Sequence, residues 1–329
     1  MDSIKAAIIG YGISGRLSHA YGLSSDKRFE IVAVCDLASE NRERAAKELS
    51  CKTYSDYHRM ILEESLDIVS VVTRSDTHAD IVCDCLKAGL HTVITKPWAL
   101  NQEEARTMIA AQEASGKKIF PWIPMYWAPE YICIRGLLTE NVIGDIFLIR
   151  RYYADFRYRN DWQTEKRYGG GYLLNWGMHI IQPIIGLAES KVKRVFGQLQ
   201  QVINAGDADD NFLAVLEFEN GIRGISEFTE SVHRFPSFII QGTRGTIISD
   251  GETVTVKQAD PSDPEKVESQ KYPLTGKQFG DEAHIYEDIA NHLLDGKPFQ
   301  TPPELALEGT VVLDAVRQSH ETRQTVELP

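Results

Sequence analysis

The sequence predicts an α/β protein with two sheets, a doubly wound parallel sheet followed by a mostly antiparallel one. Three observations carry this. Residues 1–120 alternate short apolar, β-rich runs with helix-forming segments. From about residue 191 to 256 the chain reads instead as successive strands separated by turn residues. Between these regions Pro121, Pro124 and Pro129 punctuate the chain.

The runs in the first region are Ala6–Ile9, Glu30–Val34, Asp67–Val72, His91–Ile94 and Lys118–Phe120. Most are continuously apolar rather than alternating, as in parallel strands covered on both faces. Between them Arg16–Ser24, Ser39–Leu49, Asp56–Glu64, Thr77–Ala88 and Gln102–Ala114 have helical composition. Gly89 and Gly116 stand where two of these helices should stop, in left-handed caps. The domain division is placed after residue 122, giving segments 1–122 and 123–329.

In the second segment a helix is expected near Pro129–Leu138, an extended run at Asp145–Tyr153 and a helix within Gly169–Leu187. Asn220-Gly221, Gly242, Gly245 and Asp250-Gly251 mark tight turns, so the strands of Lys191–Val256 should pair antiparallel. The polar, proline-containing stretch Gln258–Gln278 reads as a loop. Helices at His284–Leu294 and Pro303–Thr322 close the chain.

Composition narrows the function. With 329 residues and 43% hydrophobic content the chain has enough apolar surface for folded domains. Its 35 Lys+Arg against 47 Asp+Glu leave a net charge of −12, which argues against general binding to nucleic acid or anionic membranes. The start, Met1-Asp2-Ser3-Ile4-Lys5, does not resemble a secretory leader, and no apolar stretch approaches the ~20 residues that span a bilayer. The five cysteines are odd in number and none falls in a zinc-ligand spacing, so reduced thiols, no metal site and a cytoplasmic location are expected.

Gly10-Tyr11-Gly12-Ile13-Ser14-Gly15 is a G-x-G-x-x-G motif directly after a predicted strand and before a helix. The first glycine permits the tight turn, the second admits a pyrophosphate close to the backbone and the third lets helix and strand pack. The helix start then offers N–H groups to the anion. Asp36 ends the second strand, where a carboxylate can accept the ribose hydroxyls of a dinucleotide. This is the pattern of a Rossmann dinucleotide-binding domain. The charge of Asp36 favours NAD over NADP, while Arg42 and Arg44 keep NADP as the alternative.

Ligands of open parallel sheets bind at the carboxyl ends of the strands. Two segments fall there, Thr73 to His78 and Thr95-Lys96-Pro97-Trp98. Pro97 holds Lys96 in an extended backbone, from which its side chain would point toward the nicotinamide end of the cofactor. In the later helix Tyr172, Asn175, His179 and Gln182 share one face by their spacing. That stripe contains no Lys, Arg, Asp or Glu, which suggests neutral groups lining a semi-enclosed cleft, with His179 suited to proton transfer.

Together the glycine motif, the Thr73…His78 loop, the Lys96-Pro97 pair and the Gly169-Gly170-Gly171…His179 helix resemble the glucose-fructose oxidoreductase/inositol dehydrogenase family (Gfo/Idh/MocA) over essentially the whole chain. The resemblance implies a large, open C-terminal sheet that commonly serves in homodimers or homotetramers. It implies NAD(P)-dependent hydride transfer at a sugar, cyclitol or related polyol carbon. It assigns the active-site lysine to Lys96, often in a cis bond to Pro97, and the active-site histidine to His179. Thr73, His78, Lys96 and Pro97 join Gly10, Gly12, Ile13, Ser14, Gly15 and Asp36 as expected cofactor contacts.

The sequence departs from the family pattern at Thr95, usually Glu, at Asn175 and Gln182, usually Asp, and at Pro124-Met125-Tyr126, usually Asn-x-Arg. Asn175 can hydrogen-bond a hydroxyl but cannot act as a base, so His179 is the expected proton acceptor. Asn175, Tyr172, Trp162 and Tyr126 are the expected substrate contacts. The aromatic and basic loops Asp155–Tyr168 and Val232–Pro236 suit either a sugar ring or an interface. Two alternatives stand beside a dehydrogenase: an NAD-assisted glycoside-cleaving enzyme working by oxidation and elimination, and a non-catalytic dinucleotide-binding regulator.

Overall fold

The computed structural model describes residues 3–260 and 262–329; Met1, Asp2 and Pro261 lie outside the described residues. β1 (Ile4–Ile9) leads through a widened helical stretch, Gly15–Ala20, into α1 (Tyr21–Ser25). Then come β2 (Phe29–Cys35), α2 (Ser39–Leu49), β3 (Lys52–Tyr54), α3 (Tyr57–Glu63), β4 (Ile68–Val71), α4 (His78–Lys87), β5 (His91–Ile94), α5 (Gln102–Ser115) and β6 (Ile119–Pro121). After them follow α6 (Pro129–Thr139), β7 (Ile146–Asp155), α7 (Tyr172–Ala188), β8 (Val192–Gln200), β9 (Asn211–Phe218) and β10 (Arg223–Glu230). β11 (Phe238–Gly242), β12 (Gly245–Ser249), β13 (Thr253–Asp260), β14 (Asp263–Pro273), α8 (Glu282–Asp295), α9 (Pro303–Thr322) and β15 (Val326–Glu327) complete the chain.

These elements form two compact units, residues up to Pro124 with Asp281–Leu307, and Met125–Gly280 with Glu308–Pro329. The first holds a six-stranded sheet in the order β3-β2-β1-β4-β5-β6, with every pair parallel. The strand order reverses between β1 and β4, the switch point at which such sheets open a crevice. Val34, Val69, Val71, Val93 and Ile94 are fully buried, as expected of strands covered on both faces. Gly89 and Gly116 have the expected left-handed backbone. β3 was not expected: it is a short edge strand of three residues, Lys-Thr-Tyr, without an apolar run.

The sequence division at residue 122 put α8 in the C-terminal half, but this helix packs within the first unit. Its anchor is Tyr286, whose hydroxyl meets Ser70 Oγ at 2.7 Å and His19 Nδ1 at 2.9 Å. A Cβ on Gly22 would lie 2.3 Å from the Tyr286 ring, so the glycine makes room for it. His19 also lies against Trp122, ring centroids 4.3 Å apart.

The second unit holds a nine-stranded sheet, β14-β13-β12-β11-β7-β10-β9-β8-β15. All its pairs are antiparallel except β7 with β10. α7 covers β7, β9 and β10. It is buried on nearly all sides, which explains why its sequence lacks a charged face. α6 is fastened by Glu130, whose carboxylate takes Arg151 Nη1 at 2.6 Å, Ser249 Oγ at 2.5 Å and the Ser237 hydroxyl. The ion pair is almost wholly buried, so removing either partner would cost about 3–5 kcal/mol.

The stretch Gln258–Gln278, read as a loop, instead contributes the end of β13 and all of β14, which pair from Thr253↔Pro273 onward. Glu265–Gln270 are all exposed. Beyond Val256 the ladder is held by backbone hydrogen bonds with no apolar face to bury, so hydrophobic alternation gave no signal there. Charges on this edge strand guard it against pairing with another chain. All five cysteines are free thiols. No helix among the described residues is long and apolar enough to cross a membrane.

Burial pushes the His19 imidazole down to about 3. The folded chain therefore keeps it neutral where the unfolded chain, with an ordinary imidazole pKa of about 6.5, takes up a proton. The unfolded state binds more protons in this window, so stability falls as pH drops below 6.5, with this group contributing up to about 1.4 kcal/mol per pH unit. Urea unfolding of wild type and His19→Phe between pH 7.5 and 5 should show a shallower loss in the variant. Equal slopes would show that His19 is not the group responsible.

Candidate functional site

The first unit gathers the expected cofactor residues at the carboxyl edge of its sheet. Gly10 follows β1 with φ +96°, a conformation that L side chains rarely adopt, and a Cβ there would lie 2.3 Å from the Val72 carbonyl oxygen. A Cβ on Gly15 would lie 2.0 Å from the Gly10 carbonyl oxygen, so the helix start is pressed onto the turn. A Cβ on Gly12, by contrast, would meet nothing within 4 Å. Gly12, Ile13 and Ser14 are exposed. The glycine whose role is close ligand approach thus borders open space, and the two with packing roles are crowded. A dinucleotide pyrophosphate fits this cradle.

Asp36 follows β2. Its carboxylate accepts the N–H groups of Tyr11 at 2.6 Å and Ala38 at 2.8 Å, and the Asn41 amide at 3.1 Å. Arg42 donates to the carbonyl oxygens of Asp36 and Leu37, each at 2.8 Å. Arg44 donates to Asn41 Oδ1 at 3.4 Å. Beside the turn, Glu48 takes the Tyr11 hydroxyl at 3.0 Å and pairs with Arg16. Burial and this carboxylate push the Tyr11 phenol up to about 12.

Thr73 lies two residues beyond β4, and its hydroxyl meets that of Thr77 at 2.8 Å. Lys96 and Pro97 leave β5 through a cis peptide bond, and Lys96 is half-buried. His78 is wholly enclosed, with both ring nitrogens at backbone carbonyls.

The second unit builds its cluster around α7. Gly171 precedes the helix at φ +112°, and the first turn is capped from a distant loop, with Asp209 Oδ2 accepting the Leu173 N–H at 2.7 Å. The Asn175 amide donates to Gln163 Oε1 at 2.9 Å, which ties the short helical turn Trp162–Thr164 to α7. His179 is 7% exposed, with the rings of Trp176 and Phe279 at 5.7 Å and 6.3 Å. Tyr153 stacks on Trp176 at 4.4 Å. Asn175, Trp176, Tyr153 and Phe279 are all partly exposed.

Two expected substrate contacts lie elsewhere. Tyr126 is 4% exposed, and its hydroxyl donates to the Gln182 carbonyl oxygen at 3.3 Å. Tyr172 is 3% exposed and lies edge-on to Phe228. Gln182 is fully buried, so the four-residue polar stripe is not one cleft face. The aromatic group of Tyr153, Trp176 and Phe279 escaped sequence reasoning. Trp176 read as one more apolar helix position, and Phe279 sits in a polar stretch far along the chain.

Residues 4–121 match the model of an oxidoreductase family with an NAD-binding Rossmann fold, GFO_IDH_MocA, and residues 131–248 match the GFO/IDH/MocA C-terminal domain. The chain belongs to the Gfo/Idh/MocA oxidoreductase family. It is 26% identical to an inositol 2-dehydrogenase/D-chiro-inositol 3-dehydrogenase of Lactiplantibacillus plantarum, over 68% of this chain and 64% of that one. It is 26% identical to a D-apiose dehydrogenase of Paraburkholderia graminis, over 74% of this chain and 66% of that one. The matched stretch thus spans just under two thirds of each relative. The crystal structure of GenD2 from gentamicin A biosynthesis, in complex with NAD, superposes with a TM-score of 0.86 at 20% identity, covering 100% of this chain and 97% of that one. That likeness bears on the fold.

The three glycines should respond differently to alanine. Gly12→Ala should leave the unfolding free energy within about 0.5 kcal/mol of wild type, since its Cβ meets nothing, while weakening NADH binding. Gly15→Ala should destabilise the unit, because its Cβ has no room. Urea unfolding with NADH fluorescence titration checks both; unchanged NADH affinity in Gly12→Ala would count against the cradle.

Proposed function

We propose that this chain is an NAD-dependent dehydrogenase that acts on a secondary alcohol of a sugar, sugar derivative or cyclitol. The observation that carries this reading is the glycine cradle: crowded at Gly10 and Gly15, open at Gly12, and flanked by an Asp36 carboxylate held at the end of β2. Family membership supports it, as do the inositol and apiose dehydrogenases among the relatives.

Gly12, Ile13 and Ser14 would present backbone N–H groups to the pyrophosphate, and Asp36 would receive the ribose hydroxyls. Nicotinamide bound there supplies hydride transfer. Lys96, at the carboxyl edge of the same sheet, donates a hydrogen bond to the reacting oxygen and polarises it. His179 takes up the hydroxyl proton on oxidation and returns it on reduction. Asn175, held by Gln163, hydrogen-bonds a neighbouring hydroxyl, and Trp162 closes on the substrate from the adjoining turn. Trp176, Tyr153 and Phe279 offer aromatic faces to the ring C–H groups. Tyr126 and Tyr172 act from behind, as packing for α7. Asp36 would repel a 2′-phosphate, which is the basis for NAD over NADP.

The open face of the second sheet supports a homo-oligomer. Phe196, Val215 and Ile225 stand in register across β8, β9 and β10, and none is buried. Apolar groups aligned in this way suit a second copy of the chain.

Purified protein incubated with NAD and a panel of sugars and cyclitols should form reduced nicotinamide, read by absorbance. Lys96→Ala and His179→Ala should each lower kcat by about 100- to 10,000-fold. Wild-type turnover in either variant would remove that residue from the mechanism. Product release without net reduced cofactor would point instead to oxidation and elimination.

A further inference from the structure

His78 opens α4, and no part of it is exposed. Its Nδ1 lies 2.9 Å from the carbonyl oxygen of Pro97, and its Nε2 lies 3.0 Å from that of Thr73. These carbonyls belong to the loops leaving β5 and β4, which are neighbours in the sheet. One flat ring therefore spans the mouths of two adjacent strands.

Carbonyl oxygens only accept, so each contact needs an N–H from the ring. A neutral imidazole carries one N–H and ties one loop at a time; a protonated ring ties both. Burial pushes the ring toward the neutral form, against the pull of the two carbonyls and of Asp76. Asp76 is itself paired with Arg74. With both nitrogens turned to the backbone, the ring is not available to hydrogen-bond a dinucleotide.

The strapped loops are the ones that matter for the proposed chemistry. Pro97 is joined to Lys96, so holding its carbonyl sets where Lys96 begins. The Val72–Thr73 peptide lies against the nucleotide turn, since a Cβ on Gly10 would meet Val72 O at 2.3 Å and Thr73 N at 3.3 Å.

We propose that His78 is a positioning residue: seated between the Thr73 and Lys96–Pro97 loops and hydrogen-bonded to one of their two carbonyls at a time, the buried ring holds the loop that carries Lys96 in place. This rests on the reading of Lys96 as the group that polarises the reacting oxygen. Small misplacements of such a group are costly: about 1 Å can cost 100-fold in rate.

The test uses the full chain as wild type, His78→Ala, His78→Gln and Lys96→Ala. Glutamine restores a single donor nitrogen. His78→Ala should lower kcat by about 10- to 100-fold with the KM for the alcohol changed less than about threefold, and His78→Gln should recover part of the loss. A folded His78→Ala with kcat within about twofold of wild type, while Lys96→Ala is impaired, overturns the strap and leaves the Lys96 reading intact. Wild-type turnover in Lys96→Ala overturns both. Should His78→Ala not fold, His78→Gln decides: an intermediate kcat supports the strap, and an unchanged one overturns it. Where no panel alcohol is turned over, NADH fluorescence titration decides, with a dissociation constant raised about three- to tenfold in the His78 variants expected and an unchanged one overturning the proposal.

Discussion

Between the turn after β1 and the loop after β4 there is no room for a side chain. Gly10 fills that gap, and the edge of the first sheet is arranged on it. Gly15 can press onto the Gly10 carbonyl only because it too lacks a Cβ. The Val72–Thr73 peptide is held against the turn, the His78 ring lies between the carbonyls of Thr73 and Pro97, and Pro97 follows Lys96. The contacts are backbone to backbone, or backbone to one buried ring. None is an ion pair, so salt should not loosen them as it loosens surface charges. The net charge of −12 therefore says little about an anionic ligand, because on the proposed reading such a ligand would meet amide N–H groups here.

The second unit solves a different problem. α7 must carry a histidine and an asparagine while being packed almost all round. Its start is capped by Asp209 from a remote loop, which satisfies an N–H that the helix itself leaves without a partner. Its outward residues are tied or stacked, Asn175 to Gln163 and Trp176 to Tyr153. Amide groups and aromatic faces bind hydroxyl-rich, uncharged molecules well, through hydrogen bonds and C–H contacts.

The legible parts of the fold were those fixed by local rules. The glycine motif announces itself because each glycine answers a backbone demand, and Asp36 and Lys96 are found by counting to a strand end. Helix stops at Gly89 and Gly116 follow from the left-handed backbone that glycine adopts at low cost. What stayed hidden depends on contacts between distant residues. Tyr286 docks α8 onto the first unit through Ser70 and His19, and no local pattern marks a tyrosine for that task. Phe279 joins Trp176 and His179 only after the chain has passed through seven strands. The β13–β14 hairpin went unread because its outer half buries nothing. His78 was legible as a residue of interest but not in its manner of acting, since ring nitrogens aimed at two carbonyls are a fact of tertiary structure.

Cofactor preference depends on the same preorganisation. Asp36 is fixed by three donors on one carboxylate, and two of them are backbone N–H groups that cannot follow it elsewhere. It cannot turn away from an incoming 2′-phosphate without leaving those N–H groups unmet. Arg42 is the nearest cation in sequence, but it spends its guanidinium on the carbonyl oxygens of Asp36 and Leu37. A ribose hydroxyl would meet neither obstacle, because it can donate to the one lone-pair site that the three donors leave. The proposed preference for NAD thus rests on the hydrogen bonds that hold one aspartate in place.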